Sequence, residues 1–249
     1  AALSLIIILA KFFSARHTEL RSWRLLLVSS LYMIAPFSLV FLQPDLGSGI
    51  CFVAIWLGAI LFSGLPLKRF MAVLLVFIVL AGLGWQFFLH DYQKQRILSF
   101  LNPQVDQKGI SWSINQSRIA IGSAGFLGKG LGHGPQTQYG FLTEPKTDFI
   151  FSAWAEETGF LGTLFLFALL FFLFWRILQT AFFASDNFSR LFAGGLAFLF
   201  FTQSAVNIGM CLGLLPVVGI PLPMVSYGGN TLVAFYIGLG ILAGLERRG

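Results

Sequence analysis

Acidic, basic and amide side chains that can do chemistry gather between residues 90 and 157, and Asp148 is the most informative of them. Pro145 suits a position just before a helix, and Thr147 or Asp148 has a side chain able to cap that helix. The positive end of the helix favours an ionised carboxylate. Such a carboxylate, where a surface loop becomes a long apolar helix, can accept a proton or hold a cation. A plain helix cap is the alternative.

A glycine-rich run lies between residues 125 and 134, with Lys129 and His133 among the glycines. Glycine lets backbone amides approach a ligand closely, and successive amides form nests that bind anions. With Lys129 inside the run, the pattern predicts a phosphate site. A merely flexible loop is the alternative.

Residues 114–122 have the pattern of a short amphipathic helix at a membrane surface. In that helix Ile114 and Ile121 would lie on lipid, whereas Gln116 and Arg118 would face water.

Glu156 and Glu157 follow Asp148 by about two helical turns. Acids inside a membrane helix tend to be functional, but these are ordinary interfacial acids if the membrane begins after Gly159. We expect the second situation for one of the two.

The segment 215–229 contains three prolines and several glycines, which exclude a regular helix. Non-helical backbone at membrane depth is tolerated only where protein or a water cavity surrounds it, so we predict a re-entrant or cavity-lining turn. Gln203 and Asn207 lie in the preceding apolar run, and such residues more often join helices than bind ligands.

These residues sit in a chain with the composition of a membrane protein. Of its 249 residues, 57% are hydrophobic and only 10% are charged, whereas soluble domains have about 25% charged residues. The composition excludes a disordered chain, a soluble enzyme and a nucleic-acid module. The net charge of +6 then indicates membrane topology rather than binding to a polyanion.

Six apolar windows without acidic or basic residues are long enough for membrane-spanning helices, which need about 17–25 residues. They are 25–42, 48–65, 70–89, 158–175, 191–212 and 229–245. The shorter run 1–13 is interpreted as part of a further crossing. We therefore predict an all-α polytopic membrane protein, a helical bundle forming a single transmembrane domain over 1–249. A long extracytoplasmic loop would cover 90–147.

Basic residues set the orientation of the crossings, because positively charged loops stay in the cytoplasm. One set of loops is strongly basic and holds Lys11, Arg16, Arg21, Arg24, Lys68, Arg69, Arg176, Arg190, Arg247 and Arg248. The other face, which includes Asp148, has a slight excess of acids. We therefore predict that this second face is extracytoplasmic.

Four ordered motifs resemble those of the RodA/FtsW/SpoVE (SEDS) family. They are Gln-Pro-Asp-Leu-Gly at 43–47, Gln-Ser-Arg-Ile-Ala-Ile-Gly-Ser at 116–123 with Gly-Lys-Gly at 128–130, Thr-Asp-Phe-Ile-Phe at 147–151 with Ala-Glu-Glu at 155–157, and the segment 216–229 ending in Ser-Tyr-Gly-Gly. Residues 90–93 and Arg96 are closer to the RodA branch, which serves elongation, than to the FtsW division branch. The family has ten crossings, so the resemblance implies about three helices and part of a fourth before residue 1. Ala2 stands where the family has a lysine, and Asn230-Thr231 replaces a pair of small residues.

The resemblance implies a peptidoglycan glycosyltransferase that polymerises lipid II at the outer face of the bacterial inner (plasma) membrane, for cell elongation and shape. Asp148 would be the catalytic base that takes the proton of the acceptor hydroxyl, with inversion at the anomeric carbon. The predicted substrate-binding residues are Arg96, Gln116, Arg118, Lys129, Gln136 and Ser226. The three cations among them can neutralise the pyrophosphate leaving group. A divalent cation, Mg²⁺ or Mn²⁺, suits this chemistry, with Asp148 as its candidate ligand.

The resemblance also implies a class B penicillin-binding protein, a transpeptidase, as partner. The alternative function is a flippase that transports the same lipid-linked precursor. That function is less favoured, because the six windows carry no acids or bases and the chain has no internal repeat. A third possibility is a scaffold whose long loop only docks partners.

Overall fold

The computed structural model describes residues 1–16, 23–43, 45–87, 91–101 and 109–247, and all regular structure within these ranges is helical. The helices are α1 (Ala2–Ala15), α2 (Trp23–Leu42), α3 (Leu46–Phe62), α4 (Leu67–Phe87), α5 (Asp91–Leu101), α6 (Ile110–Ser123), α7 (Pro135–Gln138), α8 (Ile150–Phe183), α9 (Asn187–Cys211) and α10 (Gly229–Glu246). Pro44 and His90, which belong to two of the motifs above, lie outside the described residues.

The helices agree with the predicted crossings, and the all-α polytopic membrane fold is confirmed. Helices α2, α8, α9 and α10 are long and apolar enough to span a membrane, whereas α1 and α3 are shorter apolar helices. Helix α4 covers the remaining window with 21 residues. The largest difference is in α8, which begins at Ile150 rather than near 158. The predicted window excluded charged residues, and the first turns of α8 contain Glu156 and Glu157.

The chain divides into two compact units. Unit 1 contains residues 1–88, 173–202 and 233–249, and unit 2 contains residues 89–172 and 203–232. Helices α8, α9 and α10 contribute residues to both units, so neither unit corresponds to one continuous stretch of sequence. The single transmembrane domain over 1–249 stays a prediction.

Close helix packing holds unit 1 together. Helices α1, α2 and α3 contact one another, and Trp56 donates its indole N–H to the Ser29 hydroxyl across the α2–α3 contact at 3.1 Å. Gly58 faces Phe198 of α9, and a Cβ added at Gly58 would lie only 2.6 Å from Cγ of that ring. The contact between α3 and α9 therefore requires glycine at position 58.

Unit 2 holds most of the predicted long loop, and much of that loop is helical. It contributes α5, α6 and α7, with contacts between α5 and α6 and between α6 and α7. Unit 2 also contains the first turns of α8, the end of α9 and the non-helical segment 212–228. This segment confirms the predicted break at the prolines, and Ile220 and Leu222 within it are buried.

We expect Gly58→Val to destabilise the protein, because overpacking of a dense core costs about 1–3 kcal/mol. Gly240→Val is a matched control, since a Cβ at Gly240 of α10 meets no atom within 4 Å. Thermal unfolding in detergent should show a lower midpoint for the Gly58 variant only. Equal midpoints for the two variants would contradict the packing described for α3 and α9.

Candidate active site

Asp148 lies in a tight turn directly before α8. The main-chain carbonyl of Glu144 accepts the N–H groups of Thr147 and Phe149, both at 3.2 Å. Because α8 begins at Ile150, the capping position belongs to Phe149. The predicted cap from Thr147 or Asp148 was therefore wrong, since the amides of this turn bond back to Glu144 instead.

Asn207, near the end of α9, fixes the main chain at Asp148. Its side-chain amide nitrogen donates to the carbonyl oxygen of Asp148 at 2.9 Å and to that of Ile220 at 2.8 Å. One amide group thus joins α9, the Asp148 turn and the segment 212–228. The prediction that Asn207 joins structural elements is confirmed.

Ser226 makes a second link between the same two segments. Its hydroxyl donates to the carbonyl of Thr147 at 2.7 Å and accepts the N–H of Leu222 at 2.8 Å. The next residue, Tyr227, donates its N–H to the carbonyl of Lys146 at 2.8 Å. The hydrogen of the Ser226 hydroxyl is therefore used within the protein, to position the residues around Asp148.

The Asp148 carboxylate is half-buried and faces the turn at Gly219. A Cβ added at Gly219, whose φ is +72°, would lie 3.7 Å from Oδ2 of Asp148. Burial raises the pKa of Asp148, and the nearby charge of Glu144 raises it further, whereas Arg96 acts in the opposite direction. Burial is the largest of these effects on the pKa of Asp148, and the expected contribution of the helix end, which would favour the ionised form, stays a prediction.

Arg96 of α5 belongs to the same neighbourhood. It donates from Nη1 to the carbonyl of Val217 at 3.4 Å, two residues from Gly219, and its charge acts on Asp148. Asp148, Arg96 and Ser226 are thus the predicted site residues that the structure brings together.

Arg118 and Ser117 of α6 are directed at the end of α9. Arg118 donates from Nε to the carbonyl of Leu212 at 3.2 Å and from Nη2 to that of Gly213 at 2.8 Å. Ser117 donates its hydroxyl to the carbonyl of Cys211 at 2.5 Å and shares a second hydrogen bond with the Ser152 hydroxyl at 2.6 Å. The bonds to Cys211, Leu212 and Gly213 satisfy carbonyls that the helix end leaves without partners.

The predicted orientation of the helix around residues 114–122 was only partly right. Arg118 is exposed, but Gln116 is only 7% exposed, and Ile114, expected on lipid, is only 6% exposed. Both side chains are buried because α6 packs against other parts of unit 2, including α5 and α7.

Glu156 is completely buried, yet its carboxylate is satisfied. Oε1 accepts the N–H of Gln136 at 2.8 Å, and Oε2 accepts the N–H and the hydroxyl of Thr137 at 3.1 and 2.8 Å. The carboxylate thus caps the short helix α7, which sequence reasoning missed. Pro135 after Gly134 was the signal for that helix start, because proline favours the first helical position. Gln136 is placed beside this buried acid.

The glycine-rich run lies against a break in α8. Gly159 has φ 71° and ψ −162° inside the helix, and the freed carbonyls of Glu156 and Glu157 accept the N–H groups of Lys129 and Gly130 at 2.9 and 3.0 Å. These two amides are therefore not available to an anion, which weakens the predicted phosphate nest. The side chain of Lys129 is exposed.

No cluster of three or more His, Cys, Asp or Glu side chains suited to a metal occurs among the residues the structure describes. Magnesium sites often use one or two carboxylates together with substrate phosphates. Asp148, with Glu144 close enough to act on it, fits that smaller donor set.

The fold and this site define a multi-pass helical membrane protein with a half-buried acid in a rigid polar setting. The sequence matches the FtsW/RodA/SpoVE family of cell cycle proteins over residues 1–248. It is 43% identical over 219 residues to peptidoglycan glycosyltransferase MrdB of Escherichia coli strain K12, covering 88% of this chain and 59% of that protein. It is 36% identical over 246 residues to stage V sporulation protein E of Bacillus subtilis strain 168, covering 98% and 66%.

Solved structures show the same similarity. A chain from a peptidoglycan synthase complex, described as coordinating polymerization and crosslinking, matches with a TM-score of 0.81 and 30% identity, covering 97% of this chain and 67% of that one. The rod shape determining protein RodA of Thermus thermophilus matches with a TM-score of 0.63 and 28% identity, covering 97% and 62%. The chain belongs to the FtsW/RodA/SpoVE family. It spans about three-fifths of the length of the MrdB proteins it matches.

Asn207→Leu should destabilise unit 2, because it leaves the Ile220 carbonyl without its side-chain donor and the Asp148 carbonyl with only the weak thiol donor of Cys211 at 3.5 Å. Each buried group left unsatisfied costs about 1–3 kcal/mol. Amide hydrogen exchange should show faster exchange in residues 146–149 and 220–227. Asn230→Leu, at an exposed position of α10, should leave exchange there unchanged, and unchanged exchange in the Asn207 variant would contradict the proposed link.

Proposed function

We propose that this chain carries the catalytic centre of a peptidoglycan glycosyltransferase that polymerises lipid II. The proposal places Asp148 at the outer face of the bacterial inner membrane and connects the activity to cell elongation and shape. The observation that carries it is the Asp148 carboxylate, half-buried beside Arg96 with a raised pKa. The names of the related MrdB proteins support the same reaction.

In the proposed reaction Asp148 acts as the general base. Its carboxylate takes the proton from the acceptor sugar hydroxyl, and the oxygen attacks the anomeric carbon of the donor sugar. The bond from that carbon to the polyprenyl pyrophosphate breaks, and the configuration inverts. A raised pKa suits this role, because a base is most effective when its pKa approaches the working pH.

Arg96 is the best-placed cation for the leaving group. It already acts on Asp148, and a guanidinium pairs well with phosphate oxygens. A Mg²⁺ or Mn²⁺ ion, if bound, would be held by Asp148 with help from Glu144 and would further neutralise the pyrophosphate. Substrate binding by Gln116, Arg118, Lys129, Gln136 and Ser226 stays a prediction.

We propose a class B penicillin-binding protein as the partner that cross-links the glycan strands. The structure related to this chain that comes from a peptidoglycan synthase complex supports this partner. A flippase acting on the same precursor is the alternative function, and the activity test below separates the two.

Asp148→Asn in the full-length protein should lower glycan polymerisation by about 10²–10⁴-fold, the usual contribution of a general base. The protein, reconstituted with its partner in liposomes, is given lipid II, and the products are resolved by gel electrophoresis. Asp45→Asn is the control, since Asp45 caps α3 through the N–H of Ser48 and asparagine is an equally good cap.

Polymer formation at the native rate by the Asp148 variant would refute its role as base. Transfer of a fluorescent lipid II across the bilayer, with no polymer from the native protein, would establish the flippase instead.

The pH dependence of polymerisation should also reflect the neighbours of Asp148. Activity should fall as the pH drops through the raised pKa, because a protonated carboxyl cannot accept a proton. Glu144→Gln removes a repelling charge and lowers that pKa, so the acidic limb should move to lower pH. Arg96→Gln removes an attracting charge and should move it to higher pH, with a lower kcat/KM. Shifts in the same direction for both variants would contradict the electrostatic arrangement.

A further inference from the structure

The glycine-rich run 125–134 exposes apolar side chains that a loop surrounded by water would not need. Phe126, Leu127 and Leu131 are 64%, 74% and 73% exposed. Single exposed apolar residues are ordinary on protein surfaces, whereas several on one segment mark a site of interaction with another apolar surface. None of these three side chains has a part in the proposed reaction, so their exposure needs a separate explanation.

Main-chain hydrogen bonds hold the run against the break of α8. The carbonyl of Gly125 accepts the N–H of Phe160 at 3.0 Å. The carbonyl of Phe126 accepts the N–H of Leu161 at 3.2 Å. Two further bonds, donated by amides of the run, reach carbonyls on the other side of the break. The run thus supplies backbone partners on both sides of the break, and its position relative to α8 is fixed.

Glycines occupy the side of the run that faces α8. A Cβ added at Gly128, whose φ is +80°, would overlap the main-chain carbonyl of Glu157. A Cβ added at Gly159 would likewise overlap the amide nitrogen of Gly128. The two backbones are therefore in direct contact, with no room for side chains between them. The apolar side chains of the run consequently remain on the surface instead of filling a core.

The exposed side chains of the run continue an apolar face of α8. The ring of Phe126 stacks on that of Phe160, with the centroids 5.8 Å apart. Phe160, Leu161, Leu164 and Phe165 are all exposed, and their spacing places them along one side of the helix. Helix α8 is long and apolar enough to span a membrane, so lipid is the environment that suits this face.

Charged residues place one membrane boundary at the break of α8. Residues 160–175 contain no acidic or basic side chain, whereas Glu156 and Glu157 precede the break and Arg176 follows the uncharged stretch. Charges are costly within hydrocarbon. The 34 residues of α8 extend about 50 Å, more than the hydrocarbon core of about 30 Å, so its first turns project from the membrane. Phe160 therefore lies where headgroups meet acyl chains.

We propose that the run 125–134 is an interfacial membrane anchor and that phospholipid covers its exposed side chains. Phe126, Leu127 and Leu131 enter the leaflet beside α8, whereas the charge of Lys129 keeps the main chain at the headgroup level. The face is the one predicted to be extracytoplasmic, so the lipid belongs to the outer leaflet. Lipid is the occupant because the run continues the membrane-facing side of α8 at the depth of Phe160.

Electron paramagnetic resonance of the full-length protein in nanodiscs of phosphatidylethanolamine and phosphatidylglycerol tests the depth of the run. A nitroxide is attached to Leu127→Cys, and its accessibility to oxygen and to a water-soluble nickel chelate gives its distance from the lipid phosphates. We expect a depth of about 5–10 Å below the phosphates, as for other interfacial segments. Phe165→Cys, exposed on α8, is the reference within the membrane, and Gln138→Cys, exposed at the end of α7, is the reference in water. Background labelling of the native protein is subtracted.

Removing apolar side chains tests what holds the run in the membrane. With the nitroxide at Leu131→Cys, the double variant Phe126→Ser with Leu127→Ser should move the label toward water. Phe182→Ser with Phe183→Ser removes two exposed side chains near the other end of α8 and should leave the label at its original depth. Thermal midpoints are measured first, so that only folded protein is compared.

Three results would overturn the proposal. A label at Leu127 that is as accessible to the nickel chelate as the label at Gln138 would show that the run faces water. A label shielded from both oxygen and nickel would show that another protein surface, and not lipid, covers the run. Insertion that occurs only after the penicillin-binding partner is added would assign the run to that partner.

Discussion

The candidate site depends on one amide group that satisfies two main-chain carbonyls. Helices satisfy their own backbone in an apolar environment, but a turn or a proline-rich segment cannot. Main-chain carbonyls in the Asp148 turn and in the segment 212–228 therefore need hydrogen-bond donors from elsewhere in unit 2. Asn207 supplies them, because its amide nitrogen donates to the carbonyls of both Asp148 and Ile220. The two segments are thereby held in a fixed relation, and the position of the Asp148 main chain follows from that bond pair.

The same requirement explains the other polar contacts of unit 2. Ser226 and Arg118 both donate to main-chain carbonyls, at Thr147 and at Leu212 and Gly213. These hydrogen bonds hold a reacting group in a fixed position, so the group does not have to reorganise before it reacts. Holding reacting groups in the right geometry in this way raises the rate of an enzymatic reaction. The enclosure that fixes Asp148 also removes part of its water and raises its pKa. In the proposed mechanism, the same enclosure therefore fixes the position of Asp148 and makes its carboxylate a stronger base.

The crossings could be predicted from sequence because their only requirement is apolar length, and α2, α9 and α10 begin and end close to the predicted windows. Asn207 was recognised as a joining residue by type, but its partners could not be, since Asp148 lies 59 residues away. For the glycine-rich run, by contrast, contacts with another helix weaken a prediction that was made from local spacing. Its spacing predicted an anion nest, but the break of α8 at Gly159 frees carbonyls that occupy the amides of Lys129 and Gly130. Gly159 itself was the local signal for that break, but its contact with the glycine-rich run could not be read from the sequence.

Two acids, close in sequence, are used in opposite ways, and the contrast identifies which one is available for chemistry. Glu156 is fully buried, and three donors from Gln136 and Thr137 occupy its oxygens. Both oxygens of Glu156 are therefore engaged in holding α7 and its neighbourhood in place. Asp148 receives no hydrogen bond on its carboxylate from the part of the chain that the structure describes; only its main-chain carbonyl is held. Its burial therefore raises its proton affinity without filling its lone pairs, which is the condition that a general base requires.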